Sequence, residues 1–271
     1  MPVIALTQEM GSLAQDVGVE VSQMLGLRQT KHEVEGHVAD RLQMPRSMIR
    51  RLREGKAGLI ERFRADAEGI ALYSAEEVYT QAAQGDVVLR GWGATCLLRP
   101  VPHVPCVRIT RSLPNRVRWL MGHLDTDDVQ AAEAEIRRSD EAHAARMQQQ
   151  FGVTWGDPVL YDLVLNTDRV SVQSCAQQIV QLAGRPEFAE TPESRTVVEH
   201  LALEWRIRAA LKNDESVRDV KVTIEPEGGH IILRGIVLSN EERESIEKIV
   251  ASVPGVTGVD NQLRLMKSKR S

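Results

Sequence analysis

The beginning of the chain constrains its fold most, because a strand, a glycine turn and a helix follow one another directly. Residues 3–7 are a short apolar run that predicts a β-strand. Gly11 and Ser12 fall in the turn, and residues 13–25 predict a helix with its apolar side chains on one face. Gly26 suits the end of that helix. Free backbone N–H groups and the positive end of a helix dipole then meet at one point, which favours an anion-binding site.

The same alternation of strands and helices continues through residues 1–184. Further strands are predicted at residues 87–89, 107–109 and 160–165, and further helices at residues 114–121, 128–150 and 172–182. Such alternation predicts a parallel sheet covered by helices on both faces. We therefore expect a first domain of the α/β class.

The pattern changes after residues 185–195, a polar segment with two prolines that we interpret as a linker. Residues 196–271 predict a second, smaller α+β domain. Its elements in order are a helix at 197–211, strands at 220–224 and 230–237, a helix at 239–253 and a strand at 256–265. Residues 225–229 carry the hairpin signal, and Ser239 with Glu242 has the spacing of a capping box.

Composition excludes several classes of protein. A formal net charge of -4 and a pI near 6.0 argue against a general nucleic-acid binder, and the basic residues 267–270 are interpreted as a solvated end. No apolar stretch approaches the roughly 20 residues that span a bilayer, and no secretory signal is recognised. Cys96, Cys106 and Cys175 are odd in number and widely spaced, which fits reduced thiols rather than a disulfide framework or a zinc site. We therefore expect a cytoplasmic protein.

Several stretches of the first domain follow the order and spacing of one kinase family. They are residues 6–12, 87–93, 107–118, 135–140, 151–155 and 161–167. On these stretches residues 1–184 resemble the cytidylate-kinase-like family of phosphate-loop proteins. The resemblance implies the phosphate-loop kinase fold, a nucleotide or other phosphorylated small molecule as ligand, and ATP with Mg²⁺ as cofactors.

The second domain resembles a different family. Residues 232–237, 239–243 and 253–256, with Val259 and Asn261 beyond them, are similar to the BON domain. The resemblance implies a module that binds lipid or other ligands. We expect a second ligand or a partner protein at residues 196–271, and assembly into a homo-oligomer stays open.

The phosphate-binding loop departs from the family pattern. Relatives carry Gly-Ser-Gly-Gly followed by a basic residue, whereas this chain keeps Gly11 and Ser12 but has leucine and alanine at residues 13–14. Gln15 stands at the cation position, and Asp16 follows at the start of the helix. An acid there is favourable to the helix by about 0.3–1 kcal/mol, but it takes the place that a phosphate would occupy.

Two further elements of the family are altered. The Gly-Arg-Gly element, whose arginine is implied to hold the acceptor phosphate, reads Gly-Trp-Gly at residues 91–93. Trp92 cannot pair with phosphate, and we expect Arg90 to point elsewhere because side chains alternate along a strand. The acidic residue implied after the first helix is replaced near residues 29–31. The acceptor side of the site is therefore predicted to lack its cation.

Several arginines remain as candidates. The lid pattern Asp-x-x-Arg reads Asp140 to His143, and His143 is mostly neutral at pH 7. By resemblance Arg116 matches the family's arginine in the helix after the third strand, and Arg146 can partly substitute in the lid. If the protein is active, the catalytic candidates are Arg116, Asp140 and Arg146. The candidates for binding the cofactor phosphates are Gly11, Ser12, Gln15, Arg137 and Arg138, although Arg137 and Arg138 are also explained as surface residues.

Other motifs carry less. His32 and His37 lie five residues apart, which separates them by about 140° on a helix and prevents them from sharing one metal ion. No metal site is therefore predicted. Residues 125–128 include three aspartates that helix capping explains. The basic residues 46–53 are interpreted as the solvated face of a helix, with a phosphate or nucleic-acid contact as the alternative.

Phosphoryl transfer depends almost wholly on positioning and on cations around the transferring group. This chain has lost the cation of the loop, the acceptor arginine and one lid arginine. We therefore favour a non-catalytic regulatory protein, a pseudokinase that binds a nucleotide or another phosphorylated ligand. The alternatives are an active nucleoside-monophosphate kinase of the cytidylate type, and a purely structural first domain with the function in the second.

Overall fold

The computed structural model describes residues 1–30, 33–58, 60–61 and 65–266. The chain divides into two compact units, Met1–Ser194 and Arg195–Ser271. The first unit holds a five-stranded sheet and the second a three-stranded sheet. This arrangement confirms the predicted fold class, an α/β domain with a small α+β domain after it.

The sheet of the first unit is parallel throughout. Its strands are β1 (Val3–Gln8), β2 (Arg28–Gln29), β3 (Val87–Arg90), β4 (Cys106–Thr110) and β5 (Leu163–Asn166). Their order in space is β2-β3-β1-β4-β5, with Ala5 of β1 paired with Leu89 on one side and Cys106 on the other. The carboxyl ends of β1 and β3 therefore lie side by side.

Eight helices among the described residues lie within this unit. They are α1 (Ala14–Leu25), α2 (Glu33–Leu42), α3 (Arg46–Arg53), α4 (Ala67–Gln84), α5 (Ala94–Leu97), α6 (Leu113–Leu124), α7 (Val129–Phe151) and α8 (Val172–Ala183). The sequence predicted α1, α6, α7 and α8 with small shifts at their ends. It also indicated a helix at residues 46–53, which form α3, but it did not predict β2, α2, α4 or α5. The buried side of α4 includes small and polar residues such as Ser74 and Glu76. The helical period of apolar residues is therefore weak in this part of the sequence.

Helices cover both faces of the sheet, as predicted. On one face α1 and α8 pack against the strands, and Val17, Val21 and Ile179 join Leu6 and Ile109 in one core. On the other face the thiol of Cys106 donates to the carbonyl of Thr95 in α5 at 3.3 Å. Burial on both faces explains why these strands are continuous apolar runs.

The fourth predicted strand begins later than expected. Residues 160–165 were predicted to be extended, but Pro158–Leu160 form a 3₁₀ turn and β5 begins only at Leu163. The carboxylate of Asp157 accepts the N–H of Val159 at 3.0 Å and holds this turn. A local side-chain cap thus overrides the apolar pattern.

The second unit has the predicted α-β-β-α-β order. Its elements are α9 (Pro192–Asn213), β6 (Val222–Glu227), β7 (His230–Val237), α10 (Asn240–Ser252) and β8 (Gly258–Leu265). Helix α9 begins inside the segment 185–195 that the sequence suggested as a linker, and Pro186–Phe188 form a 3₁₀ turn there. The domain limits at residues 184 and 196 stay predictions.

The hairpin and the helix cap of this unit can be compared with the sequence. Strand pairing continues to Glu227 opposite His230, so the turn is shorter than residues 225–229 and centres on Gly228, whose φ is 62°. The hydroxyl of Ser239 accepts the N–H of Glu242 at 3.1 Å, which confirms the predicted cap.

No helix in the described part of the chain is long and apolar enough to cross a membrane. The basic residues 267–270, interpreted above as a solvated end, lie outside the described residues.

Candidate functional site

A cleft of about 570 Å³ lies where β1 and β3 end and α1 begins. Residues 8–16 form one wall of it. Side chains from α2, α3, α6 and α7 and the end of β3 form the remainder. The cleft is therefore placed at the carboxyl edge of a parallel sheet, where ligands of open α/β folds bind.

The loop at residues 8–16 keeps a tight shape although two of its glycines are absent. Gly11 has a φ of 78°, and a Cβ at this position would lie 3.1 Å from Cε3 of Trp119 and 3.2 Å from Cα of Arg116. Leu13 adopts the left-handed conformation at φ 61° and is the N-cap of α1. For a residue with a side chain this conformation costs about 1–2 kcal/mol, so the fold imposes the loop shape on this leucine.

Donor groups of the loop are left available to a ligand. Within the described part of the chain, no side chain caps the N-terminus of α1. Ser12 is fully buried at 0% exposure and lines the cleft, and among the described residues its hydroxyl has no hydrogen-bond partner. Gln15 and Asp16 are exposed at the mouth of the cleft. Buried polar groups are nearly always paired, so an unpaired hydroxyl beside a helix N-terminus points to an anion bound there.

Glu9 anchors the loop to the sheet. Its carboxylate accepts hydrogen bonds from Nη2 of Arg108 at 2.6 Å, from the hydroxyl of Thr110 at 2.7 Å and from the N–H of Arg111 at 3.2 Å. Arg108 in turn lies over the ring of Trp155, with Cζ 4.3 Å from its centroid. Sequence reasoning did not single out Glu9, because its partners are about 100 residues away and only the parallel register of β1 and β4 brings them close.

Three arginines converge on the other walls of the cleft. Arg53 comes from α3, Arg90 from the end of β3 and Arg146 from α7. Among the described residues none of the three guanidinium groups is paired with a carboxylate. Arg90 donates to Oε1 of Gln8 at 2.9 Å, Arg146 donates to the backbone carbonyl of Arg53, and Cζ of Arg53 lies 3.4 Å from the centroid of the Trp92 ring.

The pKa values of these groups reflect their crowding. Burial, with the like charges of Arg146 and Arg90, lowers the pKa of Arg53 to about 9. Burial also lowers the pKa of Arg90 and of Arg146. Burial and the neighbouring charges of Arg146, Arg53 and Arg108 lower the pKa of His143 to about 3. At neutral pH these three arginines are charged and His143 is neutral.

Two expectations about this wall were wrong. Arg90 was expected to point away from the site, but as the last residue of β3 its side chain turns toward Gln8 and lines the cleft. Residues 46–53 were interpreted as a solvated helix face, which holds for Arg51, paired with Glu61, but not for the partly buried Arg53. Trp92, which replaces the arginine of the family pattern, does not pair with phosphate itself but holds Arg53 by a cation–π contact.

The structure separates the predicted site residues into two groups. Gly11, Ser12, Gln15 and Arg146 line the cleft together. Arg116 and Asp140 lie outside it and pair with each other, with Nη1–Oδ1 and Nη2–Oδ2 distances of 3.0 and 2.8 Å that join α6 to α7.

The remaining pair of candidates lies on the surface. Arg137 and Arg138 are exposed on α7, where they pair with Glu133 and Glu135. The roles predicted for Arg116, Asp140, Arg137 and Arg138 stay predictions, and each of these residues already has a partner of opposite charge.

The other motifs have local explanations. His37 lies 2.8 Å from Oε2 of Glu76, and His32 and Lys31 lie outside the described residues. Asp128 caps α7 by accepting the N–H of Ala131 at 2.9 Å, as predicted. Within the described ranges no cluster of three histidine, cysteine, aspartate or glutamate side chains is suited to a metal ion.

The chain is similar to several known proteins. Cytidylate kinase of Pyrobaculum aerophilum is 31% identical over 97 residues, which are 36% of this chain and 52% of that protein. This chain therefore spans about half the length of that relative. An uncharacterized protein from Eubacterium ventriosum superposes with a TM-score of 0.54 at 16% identity, over 68% of this chain and 100% of that chain. Shikimate kinase from Acinetobacter baumannii matches with a TM-score of 0.41 at 14% identity, over 67% of this chain and 92% of that chain.

Family models cover both units. The model of the BON domain matches residues 201–267, and the model of the cytidylate kinase-like family matches residues 3–169, more than half of the chain. The protein therefore belongs to the cytidylate kinase-like family and carries a C-terminal BON domain.

Proposed function

We propose that the cleft binds a nucleotide or another phosphorylated small molecule without transferring its phosphate, and that the protein acts as a regulator. The observation that carries this proposal is the loop itself. Its backbone shape and the unpaired hydroxyl of Ser12 suit a phosphate, whereas Gln15 stands where a transferring enzyme needs a cation.

The charges around the cleft support binding more than catalysis. A phosphoryl group in transfer needs preorganised cations at both the donor and the acceptor side. Arg116, one of the catalytic candidates, is 6% exposed, pairs with Asp140 and does not line the cleft. Trp92 cannot supply that charge. The cations that this chain lacks are those that stabilise the transition state. We therefore expect ligand binding to be retained and phosphate transfer to be lost.

An active nucleoside-monophosphate kinase is the second candidate, since Arg146 lines the cleft next to the loop. ATP fits the residues present through its phosphates, which suit the N-terminus of α1. For Mg²⁺ the loop offers the hydroxyl of Ser12 and the carboxylate of Asp16 as oxygen ligands at the cleft. When bound, Mg²⁺ would neutralise phosphate charge.

The BON domain adds a second function to the proposal. We place there the binding of a second ligand or the assembly of the protein with a partner or with copies of itself. A third candidate assigns the whole function to this domain and leaves the cleft structural. The three cysteines form no disulfide, and this supports a cytoplasmic location in the proposal.

Calorimetric titration of the full chain with ATP and with CMP, each with Mg²⁺, tests the proposal. We expect a dissociation constant near the micromolar range, about −8 kcal/mol, for at least one of them, and no ADP after prolonged incubation with both. ADP formation that is lost in Arg146→Gln would establish the kinase instead. No heat with either ligand at several temperatures would leave the cleft a scaffold.

A further inference from the structure

We propose that Arg53, Arg90 and Arg146 together bind one phosphate group of the ligand in its dianionic form. The hydroxyl of Ser12 and the N-terminus of α1 complete this phosphate site. The inference rests on the proposed function, since it names the part of the ligand that the cleft recognises.

The balance of charges in the cleft is the first argument. Carboxylates near the three arginines are already used: Glu35 pairs with Arg50 at 2.8 Å and Glu54 with Lys56 at 3.0 Å. Glu9 is held by Arg108. Of the carboxylates among the described lining residues, Asp16 remains after these pairs, at the exposed mouth of the cleft near Arg90. Three cations opposed by one exposed carboxylate leave a surplus that a phosphate dianion matches.

The unpaired polar atoms of the cleft are the second argument. In the part of the chain that the structure describes, the Ser12 hydroxyl, Nε of Arg90 and Nε2 of His143 are buried without a hydrogen-bond partner. All three residues line the same cleft. Buried polar atoms without a hydrogen-bond partner are rare in folded proteins. A phosphate offers several acceptor oxygens, which would satisfy the serine and arginine donors together.

Trp92 has a specific part in this site. It lies at φ 56° after β3, and its ring supports the guanidinium of Arg53 at 3.4 Å. Gly91 beside it has a φ of 77°, a left-handed conformation that glycine adopts without strain, and Nη2 of Arg53 packs close to it. The segment after β3 therefore does not carry the cation itself but positions one that comes from α3.

Substitution of each arginine in turn tests whether the cluster binds a ligand or has only a structural role. We would titrate the full chain and the variants Arg53→Gln, Arg90→Gln and Arg146→Gln with inorganic phosphate, pyrophosphate, ATP and CMP. Loss of one charge-assisted contact is expected to weaken binding about tenfold or more in each variant. Arg51→Gln on α3 and Arg137→Gln on α7 are matched controls, because both pair with glutamates outside the cleft, and their affinity should stay within about twofold of the parent.

Stability without ligand gives the second readout. Because the like charges repel one another, Arg53→Gln should melt at the same temperature as the parent protein or higher. In the parent, pyrophosphate should raise the melting temperature, and in Arg53→Gln this rise should shrink. A lower melting temperature in all three arginine variants together with unchanged affinity would assign the cluster a structural role and overturn the inference.

The aromatic support can be tested by itself. Trp92→Phe keeps a ring beneath Arg53, whereas Trp92→Leu removes it at the same backbone conformation. We expect binding of pyrophosphate to weaken more in the leucine variant than in the phenylalanine variant. Equal affinities in both variants and the parent would overturn the role of Trp92.

The outcomes distinguish this inference from the proposed function. If ATP or CMP binds the parent and the three arginine variants equally, the inference is overturned and the proposed function stands. If pyrophosphate binds in an arginine-dependent way but neither nucleotide binds, the phosphate site stands and the nucleotide is excluded as ligand. If none of the four compounds binds the parent, both proposals are overturned.

Discussion

The two walls of the cleft differ in their charge. The loop at residues 8–16 offers the N-terminus of α1 and contains no lysine or arginine, whereas the wall formed by Arg53, Arg90 and Arg146 is rich in cations. The sheet and α1 hold the loop backbone in place, so its N–H donors survive changes of side chain. A cation needs only a long side chain that reaches the same point from a neighbouring element. The comparison indicates that the cation of an anion site can be supplied by a different element while the backbone donors stay on the loop.

The largest expected effect concerns the anchor of the loop wall. Glu9→Ala removes the partner of the buried Arg108 and should lower the free energy of unfolding by about 3–5 kcal/mol. Denaturant unfolding followed by tryptophan fluorescence measures this change. Glu133→Ala on the surface of α7 is the control and should change it by less than about 0.5 kcal/mol. A small effect of Glu9→Ala would show that the loop is held by other contacts.

The pair of Arg116 and Asp140 tests whether a third set of charges takes part in the cleft. Asp140→Ala leaves the buried Arg116 with only its longer ion pair, 3.7 Å from Nε to Oε2 of Glu9, and should cost about 2 kcal/mol of stability, a figure reduced because Asp140 is partly exposed. Binding of pyrophosphate should not change, because the pair lies outside the cleft. If Asp140→Ala instead loses affinity for pyrophosphate while its stability is unchanged, Arg116 and Asp140 take part in ligand binding.

A substitution in the loop sharpens the comparison from the other side. Leu13→Gly relieves the left-handed conformation and should raise the free energy of unfolding by up to about 1 kcal/mol. Ala14→Gly, one residue later and inside α1, is the control and should lower it by about 0.5–1 kcal/mol. Chemical denaturation of both variants gives the sign. Destabilisation by both would mean that packing of the leucine side chain outweighs its backbone strain.

The smallest effect is a pH dependence from the arginine wall. Burial and neighbouring arginines lower the pKa of His143 from its ordinary 6.5 to about 3, so the unfolded chain binds a proton that the folded chain does not. Stability should therefore fall as the pH drops from about 6.5 toward 3, by less than about 1 kcal/mol between pH 7.5 and 6.0.

His143→Gln is expected to flatten this part of the stability profile, whereas His230→Gln, at an exposed position on β7, should leave it unchanged. Melting temperatures at pH 7.5 and 6.0 provide the measurement. Parallel profiles for the parent and His143→Gln would contradict the assigned surroundings of the histidine.

Much of the fold could be predicted because it is local in the sequence. The apolar run at residues 3–7, the stop at Gly26 and the cap at Ser239 each act on neighbouring residues, and each appears where the sequence places it. Prediction missed α2, α4 and the short helix α5. Helix α4 is buried around much of its circumference and carries polar residues inside, such as Glu76, which obscures the helical period.

The site divides in the same way. By itself the sequence determined that a strand, a turn and a helix N-terminus follow one another at residues 3–25, with Gln15 and Asp16 in place of any basic residue, since both depend on adjacent residues. Only the tertiary structure decided that Arg53 and Arg90 complete the wall and that Asp140 takes up the charge of Arg116. The physical reason is that long side chains on distant elements come into contact only after the sheet and its covering helices have packed. The spacing of these residues along the chain does not predict such contacts.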